Sequence, residues 1–402
     1  MKNAKKATRA AAAGGVTVTV GMPNIYPPPN TLEIFDQTLR LYEQKAVVDF
    51  NLNPAGTDPE QIRRIGEDGR LLAFKIFMVV DTGRDYPHMP GIGLHDHGQL
   101  YAVFEAVART GYPIMVHPFD QELMTYLEQQ FWKRGETDFR AYARCLAMHD
   151  GVIWNTAIAT LLQLQKATGV HLHLLHMNTI EGIEMVRRAK AQGRRVTCEV
   201  NPWALFLSNR WETIERLGPY ALSYYVPPEH AEAAWEALVD GTIDIIATDH
   251  APHTREEKEV GWTNMWKAHS GTPHIQFYLS LLLTEVNRGR ISLERAVEVT
   301  STAPARIFGL YPRKGAVVVG ADADLVIVDM KARKTVTNQE VLSRCGWTPY
   351  DGREVWGVPV MTILRGRVVM EDGKVVGVPG SGRLARRVTP PVVTATSGAA
   401  AV

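Results

Sequence analysis

Four side chains with reactive or metal-binding groups stand inside or directly after short apolar segments of the sequence. Lys75 lies within LLAFKIFM, His117 and His176 end PIMVH and VHLHLLH, and Asp249 follows IDIIAT. Burial depresses the pKa of an amine, and a neutral amine can react with carbon dioxide to give a carbamate, an anionic ligand able to bridge two metals. Neutral imidazoles and carboxylates are ordinary zinc ligands. A lone Asp-His pair would favour a helix cap with surface histidines, but the four residues together predict a metal site.

The apolar segments themselves predict strands that alternate with helices, which is typical of a parallel sheet covered by helices. We predict an α/β fold of the TIM-type (β/α) barrel class, in which polar residues at the carboxyl ends of strands are catalytic. The seven predicted strands are residues 16–22, 46–53, 71–78, 113–117, 170–176, 195–200 and 243–248. A barrel of this type needs eight strands, and the chain opens in a helical pattern, so strand one is expected to be missing.

From residue 254 onward the sequence no longer shows the alternation of apolar strands with helices. A polar loop (254–273), a helix (274–288) and two short helices broken at Pro304 are followed by short strands and glycine turns, with a hairpin predicted at residues 371–373. We therefore predict three parts, listed here in order: a hydrolase-type barrel at 1–312, a small β-sandwich domain at 313–380 and a disordered tail at 381–402.

Composition excludes several classes of function. The 402 residues include 44 basic and 43 acidic side chains, for a net charge of +1, which predicts no nucleic-acid or membrane partner. Three widely spaced cysteines without a CxxC predict no disulfide framework and favour a reducing cytoplasm. The basic, alanine-rich start resembles a transit peptide, but its unbroken run into a strand favours a packed helix.

The ordered set of motifs is similar to the amidohydrolase superfamily, in the cyclic-amidase branch of dihydroorotases, hydantoinases and allantoinases. The segments that carry the resemblance are TRAAAAGGVTVTVGMPN, AFKIFM, IMVHPFD, HLHLLHMNT, CEVNPWALFL, IATDHAPHT and CGWTPYDG…VMTILRGRVV. The resemblance implies that Lys75 is a carboxylated lysine bridging two zinc ions and that His117 and His176 bind the second metal. It implies that Asp249 is a ligand of the first metal and the catalytic proton shuttle. It also implies a small-molecule cyclic amide substrate and a homo-oligomer, a dimer or tetramer.

One family signature, a His-x-His at the end of strand one, has no counterpart in this sequence. His95-Asp96-His97 matches by letters but stands between the Lys75 and His117 strands, so we interpret Asp96 as a helix cap. His173 is interpreted as structural. We expect an N-terminal segment of about 50–70 residues to be missing, and without it the barrel to bind about one metal tightly, to be poorly active and to aggregate.

The candidate substrate-binding residues are Asn24 in MPN and His253 in DHAPH, which the resemblance assigns to a substrate carboxylate. The segments VPPEH (226–230) and WKAHSGTPHIQFY (266–278) depart from the dihydroorotase pattern. The predicted function is dihydroorotase-like hydrolysis of a cyclic amide, with hydantoinase or dihydropyrimidinase and allantoinase activity as alternatives. A catalytically inactive homologue that acts as a scaffold subunit is the alternative from another class, and a phosphotriesterase-like or urease-like hydrolase is a weaker one.

Overall fold

A computed structural model describes residues 4–79, 91–222 and 224–393. Its α-helices are α1 Ala4–Ala13, α2 Leu32–Lys45, α3 Pro59–Asp68, α4 His97–Thr110, α5 Gln121–Lys133, α6 Phe139–Thr168, α7 Ile180–Ala191, α8 Pro202–Phe206, α9 Trp211–Leu217, α10 Pro228–Asp240, α11 Arg255–Glu259, α12 Tyr278–Asn287, α13 Leu293–Val297 and α14 Ala303–Ile307. Its strands are β1 Val18–Gly21, β2 Asp49–Leu52, β3 Phe74–Phe77, β4 Pro113–His117, β5 His171–Leu174, β6 Val196–Val200, β7 Ile245–Ile246, β8 Leu325–Thr335, β9 Glu354–Leu364, β10 Arg367–Glu371 and β11 Lys374–Val375.

Local sequence signals set the ends of these helices. Thr31 caps α2 and Asp58 caps α3, each accepting a hydrogen bond from a backbone N–H of the first turn. Gly69 ends α3 in the left-handed conformation that glycine adopts without strain. Asp96 caps α4 through the N–H of Gln99, and His95 and His97 beside it are exposed, which confirms the interpretation of this His-x-His as a helix start.

Among the described residues, seven parallel strands form the predicted barrel. Strands β3 to β7 form one sheet in sequence order, and β1 pairs with β2 in register from Val18–Asp49 to Gly21–Leu52. A bridge between Ala55 and Lys75 joins the segment just after β2 to β3. Within the described residues, β1 and β7 are not paired with each other. The parallel strands alternate with helices, so the predicted fold class is confirmed.

The C-terminal strands form a separate antiparallel sheet in the order β11-β10-β9-β8. The predicted hairpin is confirmed, because Asp372 and Gly373 both take positive φ values, 46° and 76°, in the two-residue connection between β10 and β11. This is the sheet expected of the small domain, whose boundaries at 313 and 380 remain a prediction.

Two local predictions were wrong. The segment 254–273 is not wholly loop, because Thr254 and Glu257 form a capping box that starts α11. Pro304 does not break the helices there: α13 continues through a π-helical turn, Glu298–Thr302, into α14. Pro304 lies in the first turn of α14, where its missing N–H is tolerated.

The predicted disordered tail from residue 381 was also wrong for its first part. The N–H of Phe50 donates to Arg383 and its carbonyl accepts from Ala385, so this segment pairs with the free side of β2. Ala385 is buried, and its carbonyl accepts a hydrogen bond from the side chain of Asn51. An unpaired strand edge needs such partners, which composition does not reveal. Residues 394–402 of the predicted tail lie outside the described residues.

A buried ion-pair network joins the barrel to the segment that leads into the antiparallel sheet. The Lys314 Nζ lies 2.8 Å from a carboxylate oxygen of Asp49 on β2 and 3.1 Å from Asp322, and it also contacts Asp324. Arg365, in the β9–β10 turn, pairs with the other oxygen of Asp49. The lysine ammonium thus occupies the centre of these three carboxylates. In the described part of the chain, no helix is long and apolar enough to cross a membrane.

Candidate active site

Lys75 points from β3 into the barrel and is almost completely buried, with 1% of its surface exposed. Its Nζ has no hydrogen-bond partner among the described residues and lies 4.0 Å from the centre of the Phe77 ring. Burial lowers the pKa of the amine to about 7, although the charges of Glu199 and Asp249 oppose this shift. A substantial neutral fraction of the amine therefore exists near pH 7, which the carbamate chemistry requires.

Glu199, on β6, is a second buried charge in the barrel interior. His173 lies 3.3 Å from one carboxylate oxygen of Glu199, and the other oxygen accepts a hydrogen bond from Asn201. Burial alone would raise the pKa of Glu199, but His173 and the charge of His176 outweigh it and hold the pKa below its usual value. His173 is thus the buried partner of a carboxylate, in agreement with its interpretation as structural.

His117 and His176 come together at the carboxyl ends of β4 and β5. Their ring centres are 5.0 Å apart, and both side chains are buried. The hydroxyl of Tyr224 lies 3.4 Å from Nε2 of His117. Parallel neighbours bring these two ring systems to the same edge of the sheet, as the sequence predicted.

Asn201 sets the tautomer of His176. The Asn201 amide donates to the carbonyl of Ala247 at 2.9 Å and to Glu199 at 3.3 Å, so its oxygen is the group that faces His176. His176 Nδ1 lies 2.5 Å from that oxygen and donates to it. The Nε2 lone pair of His176 is then available as a ligand, because a neutral imidazole with a donating Nδ1–H is the usual form in metal sites.

Asp249 follows β7 and is oriented by Trp203. The indole N–H donates to the Oδ2 of Asp249 at 3.0 Å. The other carboxylate oxygen, Oδ1, takes no part in this bond and is available for a metal ion or a proton. Asp249 and His176 both adopt positive φ values, 43° and 58°. Backbone strain of this kind in non-glycine residues concentrates at functional sites, and here it falls on two predicted site residues.

Aromatic side chains pack against the two histidines. His117 has ring contacts with Phe119, Trp154 and Tyr224 at 5.5, 5.6 and 5.9 Å. Trp203 contacts Tyr224 at 5.3 Å and His176 at 6.1 Å. Trp154 follows a kink in α6, where residues 148–151 leave helical geometry. We call Phe119, Trp154, Trp203 and Tyr224 the aromatic wall.

The predicted substrate residues lie in different settings. Asn24 is exposed on the loop after β1. His253 lies beside Glu257 and His269, 3.6 Å from a carboxylate oxygen of the former. His250, between Asp249 and His253, accepts hydrogen bonds at Nδ1 from the backbone of His274 and Ile275, and burial lowers its pKa to about 4.

The residues at the barrel end fit a metal site by the chemistry of their donors. Lys75 supplies a buried amine with no hydrogen-bond partner among the described residues, and His117, His176 and Asp249 supply imidazole and carboxylate groups. In the described structure, the donor atoms of His117, His176 and Asp249 are not all within 4.8 Å of one another. The fit therefore rests on the buried amine of Lys75 and on the hydrogen bond that prepares His176.

Sequence reasoning missed Glu199, Asn201 and the aromatic wall. Glu199 carries the same signal as Lys75, because it is a charged residue inside an apolar strand, RVTCEV. Asn201 and Trp203 follow that strand directly, and strand-end position alone could have nominated them. Trp154 and Tyr224 stand in no motif and reach the site through the kink of α6 and a loop.

Comparison with known proteins agrees with this architecture. The model of the amidohydrolase family matches residues 2–369. The L-hydantoinase of Paenarthrobacter aurescens is 35% identical over 387 residues, covering 94% of this chain and 81% of that protein. A dihydroorotase of Methanosphaera stadtmanae is 32% identical over 374 residues, covering 92% and 80%. The solved structure of an L-hydantoinase (dihydropyrimidinase) from Arthrobacter aurescens superposes with a TM-score of 0.89 at 34% identity, covering 96% of this chain and 84% of that one. The chain belongs to the amidohydrolase family.

Proposed function

We propose that this protein hydrolyses the C–N bond of a cyclic amide. The observation that carries the proposal is the buried amine of Lys75, which has no hydrogen-bond partner in the part of the chain that the structure describes and is influenced by the charges of Glu199 and Asp249. The similarity to an L-hydantoinase and a dihydroorotase supports the same reaction class.

Lys75, His117, His176 and Asp249 would hold the metal, for which zinc suits the ligand types. We infer that Lys75 reacts with carbon dioxide to form a carbamate, a step that forms one N–C bond and releases one proton. The carbamate would add anionic oxygen ligands to the imidazole and carboxylate groups of the other three residues. Such metal ions, when bound, lower the pKa of water and polarise a carbonyl.

The protein's own groups then position and move protons. Trp203 holds one oxygen of Asp249. The second oxygen can take the proton of the attacking water and pass it to the ring nitrogen as the C–N bond breaks, acting first as general base and then as general acid. Asn201 keeps His176 in the tautomer whose Nε2 faces outward as a ligand.

The aromatic wall bears on the choice of ring. It presents apolar surface beside His117 and His176, which favours a ring with an apolar or aromatic substituent, such as a substituted hydantoin. A second candidate is dihydroorotate, whose carboxylate Asn24 and His253 would bind according to the resemblance. Allantoin is a third ring of the same class.

The proposal also covers the binding partner, the oligomeric state and the cellular compartment. The partner is a small molecule, and we infer a homo-oligomer, a dimer or tetramer, from the family resemblance. The three cysteines are free thiols, which suits a reducing cytoplasm.

The test is a ring-opening assay of the zinc-loaded protein on 5-benzylhydantoin, unsubstituted hydantoin, dihydroorotate and allantoin, with the chelated protein as control. We expect metal-dependent opening, fastest for the benzyl compound. A preference for dihydroorotate would favour the second candidate. A folded, metal-loaded protein that opens none of these rings would contradict the proposal and support the scaffold alternative.

A further inference from the structure

A cavity of about 320 Å³ lies outside the barrel-end site, beside the loop after β7. Its lining includes His253, Glu257 and His269 together with Lys6, Ser343 and Cys345. The first three residues bring potential ligand atoms within 4.8 Å of one another. His253 and Glu257 stand at the start of α11, and His269 returns to them from the segment that follows.

The spacing of these three side chains is close to that of a coordination sphere. The His253 Nδ1 is 3.6 Å from an oxygen of Glu257, and the rings of His253 and His269 have centres 4.8 Å apart. Ligands bound tetrahedrally at about 2.0–2.1 Å lie about 3.4 Å from each other. Side-chain adjustments of about an ångström would therefore bring all three onto one ion.

The three residues are held in place by contacts of their own. Glu257 accepts a hydrogen bond from the N–H of Thr254 at 2.7 Å, as part of the capping box of α11. The carbonyl of His253 accepts a hydrogen bond from the Trp347 indole at 2.7 Å. The N–H of His269 donates to the carbonyl of Glu257. Ligands whose positions are fixed in this way lose little entropy when an ion binds.

One buried cation opposes binding. Lys258 lies near His253, but its ammonium donates to three backbone carbonyls, those of Leu222, His269 and Gly271. These bonds hold the ammonium in place, and its positive charge acts against a cation bound at His253. Two imidazoles and one carboxylate favour zinc or a similar transition metal over calcium or magnesium, which prefer all-oxygen sites.

We propose that His253, Glu257 and His269 form a second metal site, separate from the one at Lys75, that binds a divalent transition-metal ion such as zinc. Water in the adjoining cavity completes the coordination. His253 would then be unavailable to the carboxylate of dihydroorotate, so this site also argues against that second candidate substrate.

The experiment is a titration of the chelator-stripped full chain with Zn²⁺, and in parallel with Co²⁺, whose visible spectrum reports its ligands. Glu257→Gln keeps the shape and the cap acceptor but removes the charge, and His269→Ala removes one imidazole. Glu256→Gln, on the exposed face of the same helix, is the matched control.

We expect the wild type and Glu256→Gln to bind one equivalent of Zn²⁺ more than Glu257→Gln or His269→Ala. Lys75→Ala should lose metal at the barrel end but keep the equivalent that depends on Glu257, which separates this site from the proposed active site. Circular dichroism checks that each variant is folded. If His269→Ala does not fold, the metal stoichiometry of Glu257→Gln alone tests the proposal. Equal stoichiometry and equal Co²⁺ spectra in the wild type and a folded Glu257→Gln would overturn the proposal.

Discussion

His176 and Asn201 are joined by a hydrogen bond of 2.5 Å between Nδ1 and Oδ1, and the remaining bonds of the Asn201 amide leave it one orientation. This contact couples the ends of β5 and β6 and determines which nitrogen of His176 can bind a metal. It is the clearest preparation for ligand binding at the barrel end.

Asn201→Ala should weaken metal binding about 10–100-fold, because a ligating histidine loses the partner that fixes its tautomer. Competition with a chromogenic chelator measures this affinity. Asn209→Ala is the control, since the Asn209 amide donates to the carbonyl of Leu205 in its own neighbourhood and not to a site residue. Equal affinity in Asn201→Ala and the wild type would show that the hydrogen bond is merely structural.

Asp249→Asn should keep the fold but lose turnover by about 10²–10⁴-fold, since the amide cannot accept and return a proton. The amide oxygen can still accept the Trp203 hydrogen bond, so the melting temperature should change little. Asp244→Asn is the contrasting variant, because Asp244 pairs with Lys190 and the Cys198 backbone. It should lower the melting temperature and spare turnover. Near-normal turnover in a folded Asp249→Asn protein would remove Asp249 from the chemistry.

Tyr224→Ala should lower kcat/KM for 5-benzylhydantoin by about tenfold, the value of one or two aromatic contacts, and affect unsubstituted hydantoin less. Tyr224→Phe retains the ring and should retain most of that preference. Tyr225→Ala serves as control, since Tyr225 packs on Trp211. If Tyr224→Ala lowers both rates equally, the aromatic wall supports the fold and does not select the substrate.

Lys314→Met should lower the free energy of unfolding by about 3–5 kcal/mol, because it removes the buried ammonium that three carboxylates share. Urea unfolding measures the change, and Lys331→Met, at an exposed position, should be nearly neutral.

Burial alone would raise the pKa of Asp322, but Lys314 and Arg313 outweigh it and hold the pKa below its usual value. The ionised Asp322 therefore contributes its full stabilisation above about pH 4, the ordinary pKa of an aspartate in the unfolded chain. That contribution is lost as the pH falls through the lower pKa of the folded state. The stability gap between Lys314→Met and the wild type should therefore narrow in acid. A constant gap from pH 7 to pH 3 would contradict this linkage.

The barrel and the position of its reactive residues follow from patterns that are local in sequence. Each of Lys75, His117, His176 and Asp249 is marked by a short apolar segment, and parallel pairing brings such segments to one edge. Glu199 carries the same mark and was predictable on the same ground.

The features that the sequence could not predict depend on contacts between distant residues. Lys314 meets Asp49 across 265 positions, and Phe50 pairs with a segment more than 330 residues later. Nothing in the composition of residues 381–388 marks them as the partner of a strand edge. Trp154 reaches His117 because α6 bends at residues 148–151, where two non-glycine residues adopt left-handed geometry.

The role of Lys75 in the metal site is tested most directly by the metal content and hydantoin turnover of Lys75→Ala, with and without a short carboxylic acid such as propionate. We expect loss of the barrel-end metal and of turnover in the variant, partial recovery of both on adding the acid, and a carbamate on Lys75 in the wild-type protein. Full metal content and full turnover in Lys75→Ala without added acid would show that the buried amine has no part in the site.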